Sequence, residues 1–412
     1  MSQLKARIEA LKRQSGQDAG GEGPQAALDE LNRRLERLRC GMEAPAAVAG
    51  RPDPEALAAR VGGELHPEGY ITVETLWPAG MPYGNWRMGG WQDTVRYLPG
   101  ATGRPVSEWV FVDTETSGLA GGAGTVPFLI GMARHEPEGL RVRQYLLGRF
   151  GAERAMLSAC LPRLEQGAGL VSYNGKTFDL PLLRDRLRLQ GVARGLERGL
   201  ERSCHLDLLH AARRAFGGIW ADCRLGTLEQ RLLGFRRHDD LPGAEVPAVW
   251  FEYLHRGRTE RMAAVLAHNR DDLVSLALAL PALDAVYGDP LAAGADVRQV
   301  AACHRRSGRG DQALTLLETA EAGLNDAGRL DLAEHLRRVG RWEKACAIWE
   351  EQAGRGCMYS MERLAKYHEH VRRDWLRALA FAVRLPPGGE RNRRVERLQA
   401  RLGTQEPLSL SC

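Results

Sequence analysis

The spacing of apolar residues changes along this chain, and each change predicts a different kind of element. Leu4, Ile8 and Leu11 recur at helical spacing, as do Leu28, Leu31, Leu35 and Leu38, which predicts helices over 1–15 and 25–40. The Gly-rich run 15–24 between them has the composition of a flexible linker. Residues 41–70, rich in Pro, Gly and Ala, read as a connector, so that 1–69 form a helical arm and linker. Residues 70–105 show no clear period. They carry Tyr70, Trp77, Tyr83, Trp86, Trp91 and Tyr97 among Gly and Pro, and read as an irregular lead-in anchored by its aromatic rings. With Arg87 and Arg96 the same rings could stack on bases.

From 108 to 282 the pattern becomes α/β. Trp109–Val112 and Pro127–Ala133 are short apolar runs of buried strands, and Leu140–Leu147 alternates as a third. Residues 152–166 read as a helix, Leu170–Tyr173 as a fourth strand, and Leu180–Leu189 and Leu206–Phe216 as further helices. The stretch 261–280 is strongly helical. Beyond it the chain repeats itself. Gly308-Arg309-Gly310-Asp311-Gln312-Ala313 resembles Gly340-Arg341-Trp342-Glu343-Lys344-Ala345 and Arg373-Asp374-Trp375-Leu376-Arg377-Ala378. The aligned alanines lie 32 and 33 residues apart, each after a helical segment, a phasing that fits tetratricopeptide-like helical pairs. The resulting division is an arm at 1–69, a lead-in at 70–105, an α/β domain at 106–285, helical repeats at 290–385 and a basic tail at 386–412.

Composition narrows the class without fixing it. A chain of 412 residues with 44% hydrophobic and 26% charged residues can bury a full core. The net charge of +5 permits a polyanionic partner but does not demand one. No apolar run is long enough to span a bilayer, and Met1–Arg7 lacks the apolar centre of a signal peptide, so a cytoplasmic location and no membrane partner are expected. The eight cysteines contain no Cys-x-x-Cys pair and read as free thiols. Cys204, His205, His210 and Cys223 match no familiar zinc spacing.

Three segments carry acids in or beside apolar runs: Asp113-Thr114-Glu115, Asn174-Gly175-Lys176-Thr177-Phe178-Asp179 and His268-Asn269-Arg270-Asp271-Asp272. Hydrolysis of a phosphodiester by two divalent ions needs several carboxylates converging on one point, and Mg2+ or Mn2+ accepts such hard oxygen ligands. Alternation along a strand puts Asp113 and Glu115 on one face at the end of the first strand. Asp179 would enter from the start of the following helix, and Asp272 from a helix packed beside the sheet. His268 precedes Asp272 by four residues, hence shares its helical face, and could take the proton of an attacking water. Asn174 and Lys176 could hold phosphate or orient Asp179, and Asn269 and Arg270 join them as candidate nucleic-acid contacts. Each segment alone could be a turn, a helix cap or exposed helix surface. All three in this order on an α/β pattern are harder to explain that way.

The order Asp-x-Glu, Asn-x₄-Asp, His-x₃-Asp resembles the DEDD exonucleases of the ribonuclease-H-like superfamily. It is closest to a bacterial subfamily of predicted exonucleases that often carry a tetratricopeptide tail. The carrying motifs are Asp113–Leu119 with Gly121–Gly131, Tyr173–Pro181, and Leu228–Gly234 leading to Asp239–Gly243. The resemblance implies a ribonuclease-H-like mixed sheet flanked by helices, plus a C-terminal α-helical repeat domain. It implies a metal-dependent 3′–5′ exonuclease acting on single-stranded or frayed DNA or RNA. It also implies two ions held by Asp113, Glu115, Asp179 and Asp272, with His268 beside the attacking water. In histidine-type members the last acid follows the histidine by five residues and in tyrosine-type members it follows the tyrosine by four, so His268 stands in the tyrosine's place. Asp271 fits neither spacing. Two rival readings remain at this point: a structure-selective endonuclease of the same fold, and an inactive scaffold whose repeats bind nucleic acid or a protein partner.

Overall fold

The computed structural model describes residues 50–403 apart from 90–93, 102, 119–123, 165–166, 168 and 193–203. The chain divides into two units, Met1–Arg51 and Pro52–Cys412. The helices expected over 1–15 and 25–40, and Trp91 of the aromatic set, lie outside the described residues.

Residues 54–78 hold more regular structure than the apolar pattern foretells. Helix α1 (Pro54–Val61) starts on Asp53, whose carboxylate accepts from the backbone N–H groups of Glu55 and Ala56, and stops at Gly62 in the left-handed region. Strands β1 (Glu64–Leu65) and β2 (Tyr70–Pro78) follow. β2 pairs over its whole length with β7 (Gly139–Leu147). The expected connector and irregular lead-in are therefore corrected: 54–78 supply a helix and two strands of the main sheet. The β-branched and aromatic alternation Ile71, Val73, Thr75, Trp77 is real, but turns rich in Gly and Pro flank it. Beyond β2, a small hairpin of β3 (Pro82–Tyr83) and β4 (Trp86–Arg87) stands outside the main sheet.

The sheet also contains β5 (Trp109–Thr116), β6 (Pro127–Glu136), β8 (Gly169–Ser172) and β9 (Cys204–Asp207), in the order β1-β2-β7-β6-β5-β8-β9. The pairs from β1 to β5 are antiparallel, and β8 and β9 continue parallel to β5. β9 takes four residues that the apolar pattern assigns partly to a helix; α4 starts only at Leu208 and runs to Phe216. Helices α2 (Glu153–Leu164) and α3 (Asp179–Leu189) cover one face, where Val110, Val112, Met132 and Tyr145 meet Met156, Leu157 and Leu183. Buried Glu153 joins the two helices through Arg186 and Gln190. After two intervening helices, α5 (Leu225–Leu228) and α6 (Val246–Arg256), the long α7 (Met262–Gly288) crosses the other face against Phe111, Ala133 and Val142.

The same core runs on from α7 into a helical region: α8 (Val297–Arg306), α9 (Gly310–Thr319), α10 (Asp326–Arg338), α11 (Trp342–Gly354), α12 (Met358–Tyr367), α13 (Trp375–Ala382) and α14 (Gly389–Gly403). Ala313, Ala345 and Ala378 sit in α9, α11 and α13, and all three are fully buried. The turns before these helices share a left-handed residue: Gly308, Gly340 and Arg373, with φ of 77°, 80° and 55°. Arg309 donates to the carbonyls of Arg96 and Tyr97, and the N–H groups of Arg96, Tyr97 and Leu98 donate to Asp284 on α7. That knot ties the loop before β5, α7 and the first helical pair together. Among the described residues, no helix is long and apolar enough to cross a membrane, and Cys160, Cys204, Cys223, Cys303, Cys346 and Cys357 are free.

Ile71 is completely buried in β2. Truncation to alanine is expected to cost about 2–5 kcal/mol in urea unfolding, as for other core aliphatics, whereas a residue in a loosely attached lead-in would cost a small fraction of that.

Candidate functional site

The site begins at the C-terminal end of β5. Asp113 faces Gly131 of β6 in register, and the ladder shifts between Glu115 and Thr116, so the strand bulges just past the acids. Asp113 and Glu115 point to the α7 side. Thr114, between them, points to the other face, and its hydroxyl donates to Asp179 Oδ1 at 2.5 Å. Asp179, the first residue of α3, is thereby tied to the strand that carries the other two acids.

α7 brings the third segment over the same strand end. Asn269 is fully buried. Its Nδ2 donates to Asp113 Oδ2 at 2.7 Å, and its Oδ1 accepts from Gln144 Nε2 at 2.9 Å. Gly131 makes this possible, since a Cβ there would collide with the Asn269 amide. The expectation that Asn269 contacts nucleic acid is corrected: the residue has no exposed surface, and its amide orients Asp113. Arg270 points elsewhere, paired with Asp271 and lying 5.9 Å over the Trp77 ring. Of the two adjacent aspartates it is Asp272 that turns to the acids. It lies 3.9 Å from His268 Nε2 and contributes to the field felt by Asp113 and Glu115.

The loop 174–178 is shaped by a residue that no motif marks. Asp207, buried at the end of β9, accepts from the N–H groups of Asn174 (2.8 Å), Lys176 (3.1 Å) and Leu209 (3.1 Å). Asn174 takes a left-handed conformation with φ of 68°, and Gly175 packs so close to Ser172 and Asp179 that a Cβ would clash. The Lys176 side chain is exposed beside this loop, free to face solvent.

Three more residues of the site escape a reading of the sequence. Arg237, on the loop before α6, forms ion pairs with Asp272 and Asp240, and with buried Glu229 at 2.5 Å. Asp240 Oδ1 lies 2.8 Å from His268 Nδ1. Glu229 also accepts from Ser275, which bonds Tyr83 at 2.6 Å. Arg237 therefore sets a cation against the acids, and Asp240 fixes the imidazole with Nε2 turned to Asp272. Glu229 and Asp240 fall inside the motifs Leu228–Gly234 and Asp239–Gly243, but ion pairs between separate segments have no periodic signature that would reveal these roles or Arg237.

Electrostatics shows how tightly the acids converge. Asp113 is pushed well above the usual carboxylate range by burial, then by Asp272, Glu115 and Asp179. Glu115 is pushed up to about 8 by burial and by Asp272, Asp179 and Asp240, against the pull of His268. Burial also raises Asp179, while the Thr114 hydrogen bond works against it. His268 is raised: burial alone would lower it, but Asp272, Asp240 and Glu115 prevail. Among the described residues, no group of three or more His, Cys, Asp or Glu stands poised to hold a metal ion. The donor chemistry nevertheless fits hard divalent cations: several oxygen ligands whose mutual repulsion favours any added positive charge.

These observations define a mixed sheet with acids at the end of its inner strand β5. The description of a ribonuclease H superfamily domain matches residues 110–281. The chain is 33% identical over 314 residues to the uncharacterized protein YprB of Bacillus subtilis (strain 168), spanning 72% of each chain. It belongs to the same family as YprB. Among solved structures, the family B DNA polymerase from the hyperthermophilic archaeon Pyrobaculum calidifontis aligns with a TM-score of 0.37 at 16% identity. That alignment covers 67% of this chain and only 37% of the polymerase.

A folded chain that keeps the Glu115 proton up to about pH 8 binds more protons than an unfolded glutamate, which releases its own near 4.5. This contribution to stability is fully present below the unfolded value and is lost as pH rises towards the folded one. Thermal melts in chelator are expected to show that loss between about pH 5 and 8, with Mn2+ restoring the melting temperature at the upper end. A melting temperature that climbs through this window in chelator contradicts the account.

Proposed function

We propose that this protein is a metal-dependent nuclease, a 3′–5′ exonuclease that hydrolyses single-stranded or frayed DNA or RNA. The single observation that carries the reading is the convergence of Asp113, Glu115, Asp179 and Asp272 at one strand end. The superfamily match over 110–281 is consistent with it. Two divalent cations, Mg2+ or Mn2+, held by these four carboxylates would activate water and neutralise charge on the phosphodiester.

The chain's own groups then have distinct tasks. Asn269 holds Asp113 in orientation, and Thr114 holds Asp179. His268 Nε2 takes the proton of the attacking water while Nδ1 stays tied to Asp240. Arg237 shields Asp272 and lies close enough to meet a phosphate oxygen. Lys176, exposed on the loop before Asp179, contacts the backbone of the bound strand. The helical pairs from α8 to α13 are read as tetratricopeptide-like repeats, whose concave face offers a place for a protein partner.

The test is hydrolysis of end-labelled oligonucleotides with Mg2+ or Mn2+. The wild type is expected to shorten strands stepwise from the 3′ end and to stall on a blocked 3′ terminus. Asp113→Asn should abolish cleavage, and His268→Gln should lower kcat by about 10²–10⁴-fold. Cleavage that ignores the block would point to an endonuclease, and no cleavage of DNA or RNA by the wild type would sink the nuclease reading.

A further inference from the structure

The charge of this chain is unevenly divided. Residues 297–403 contain 21 Lys and Arg against 14 Asp and Glu, a net of +7. The whole chain carries +5, so the remainder stands at −2. The half with the acidic site therefore lacks a surplus of positive charge to attract a polyanion, and the helical region has one.

The surplus is concentrated at equivalent places. The first helix of each pair leads into a basic turn: Arg305-Arg306 closes α8, Arg337-Arg338 closes α10, and Arg372-Arg373 closes the π-helical turn His368–Arg372 that extends α12. Arg305, Arg306, Arg338, Arg372 and Arg373 are exposed, and among the described residues none of their guanidinium groups has a hydrogen-bond or ion-pair partner. Neighbouring cations differ, with Arg337 on Glu334 and Arg341 on Glu318. Stacked helical pairs bring their corresponding turns to one edge, an arrangement that would align these guanidinium groups in a row.

A bland origin exists, because cations complement the negative end of a helix dipole. It accounts for the arginines in the last turns of α8 and α10 but not for Arg373, which lies past the end of its helix. Arg373 occupies the left-handed position where the other two turns use Gly308 and Gly340, a conformation that costs a non-glycine residue energy. The acids nearby, Asp311, Glu343 and Asp374, sit at the start of the following helix, where its dipole or a capping bond holds them. The row is also joined to the nuclease half. Arg309, in the first of these turns, grips the carbonyls of Arg96 and Tyr97, whose N–H groups bind Asp284 of α7, the helix that carries Asp272.

We propose that this arginine edge binds the sugar-phosphate backbone of single-stranded nucleic acid, extending the substrate path beyond the carboxylate site. The inference rests on the nuclease reading and adds the surface that retains the strand. A basic row without interleaved exposed aromatic rings recognises phosphates and not bases, so the binding is independent of sequence and sensitive to salt.

The experiment measures binding of a long labelled oligothymidylate to the full chain, in chelator, over a range of salt concentrations. Replacing Arg306, Arg338 and Arg372 together by Gln removes one cation per turn. The slope of log affinity against log salt is expected to fall by about 2, at roughly 0.7 for each phosphate no longer neutralised. Affinity at moderate salt should drop on the order of tenfold or more. Hydrolysis of an oligonucleotide of a few residues with Mn2+ should stay at the wild-type rate. A control variant, Arg329→Gln with Arg355→Gln, removes cations already paired with Glu351 and should leave the slope unchanged. An unchanged slope in the triple variant, or an equal loss in the control, overturns the proposal. So does a wild type that binds polyglutamate in preference to oligothymidylate, which would mark the edge as a site for an acidic protein. Failure of the nuclease reading looks different: no hydrolysis of either length, with the binding slopes measured in chelator still intact.

Discussion

Repulsion among four carboxylates at one end of β5 is the constraint on which the rest of the structure depends. Asp113, Glu115, Asp179 and Asp272 crowd a half-buried space where they cannot all ionise comfortably. Such a cluster survives only if the surrounding elements hold it together. Asn269 ties α7 to β5, Thr114 ties β5 to α3, and Asp207 shapes the loop that delivers Asp179. Arg237 places positive charge where the acids need it. Gly131 clears the space through which the Asn269 amide passes. Local stability is given up where these acids crowd together, which is the compromise expected of a functional site.

Much of this is legible in the sequence, for identifiable reasons. β5, β6, β7, β8 and α7 are apolar enough to announce themselves, and the acids in or beside them stand out against that background. β2 escapes recognition because its neighbours are rich in Gly and Pro, which make the whole stretch read as irregular. β9 has four residues and runs straight into α4, so its strand period never develops. Asn269 is misread although a signal exists: Leu266, Asn269, Leu273 and Leu276 fall on one helical face, and that face is buried. Arg237 and Asp207 have no such signal, and Glu229 and Asp240 are marked only by the motifs that contain them. Their roles come from contacts between segments far apart in sequence, which no periodicity encodes.

The helical region gives the molecule a second electrostatic character. Its core is continuous with the core beneath the sheet, so the two parts are held in a fixed relation by packing as well as by the knot of Arg309, Asp284 and the 96–98 backbone. One half gathers negative charge into a small site, and the other displays positive charge along an edge.

The central claim is that the acidic cluster is a site for divalent cations, and calorimetric titration of Mn2+ into the full chain tests it most directly. The account predicts saturable binding of two ions at neutral pH, released protons as they bind, and loss of binding in Asp113→Asn. No saturable binding, or binding that survives Asp113→Asn unchanged, would contradict it.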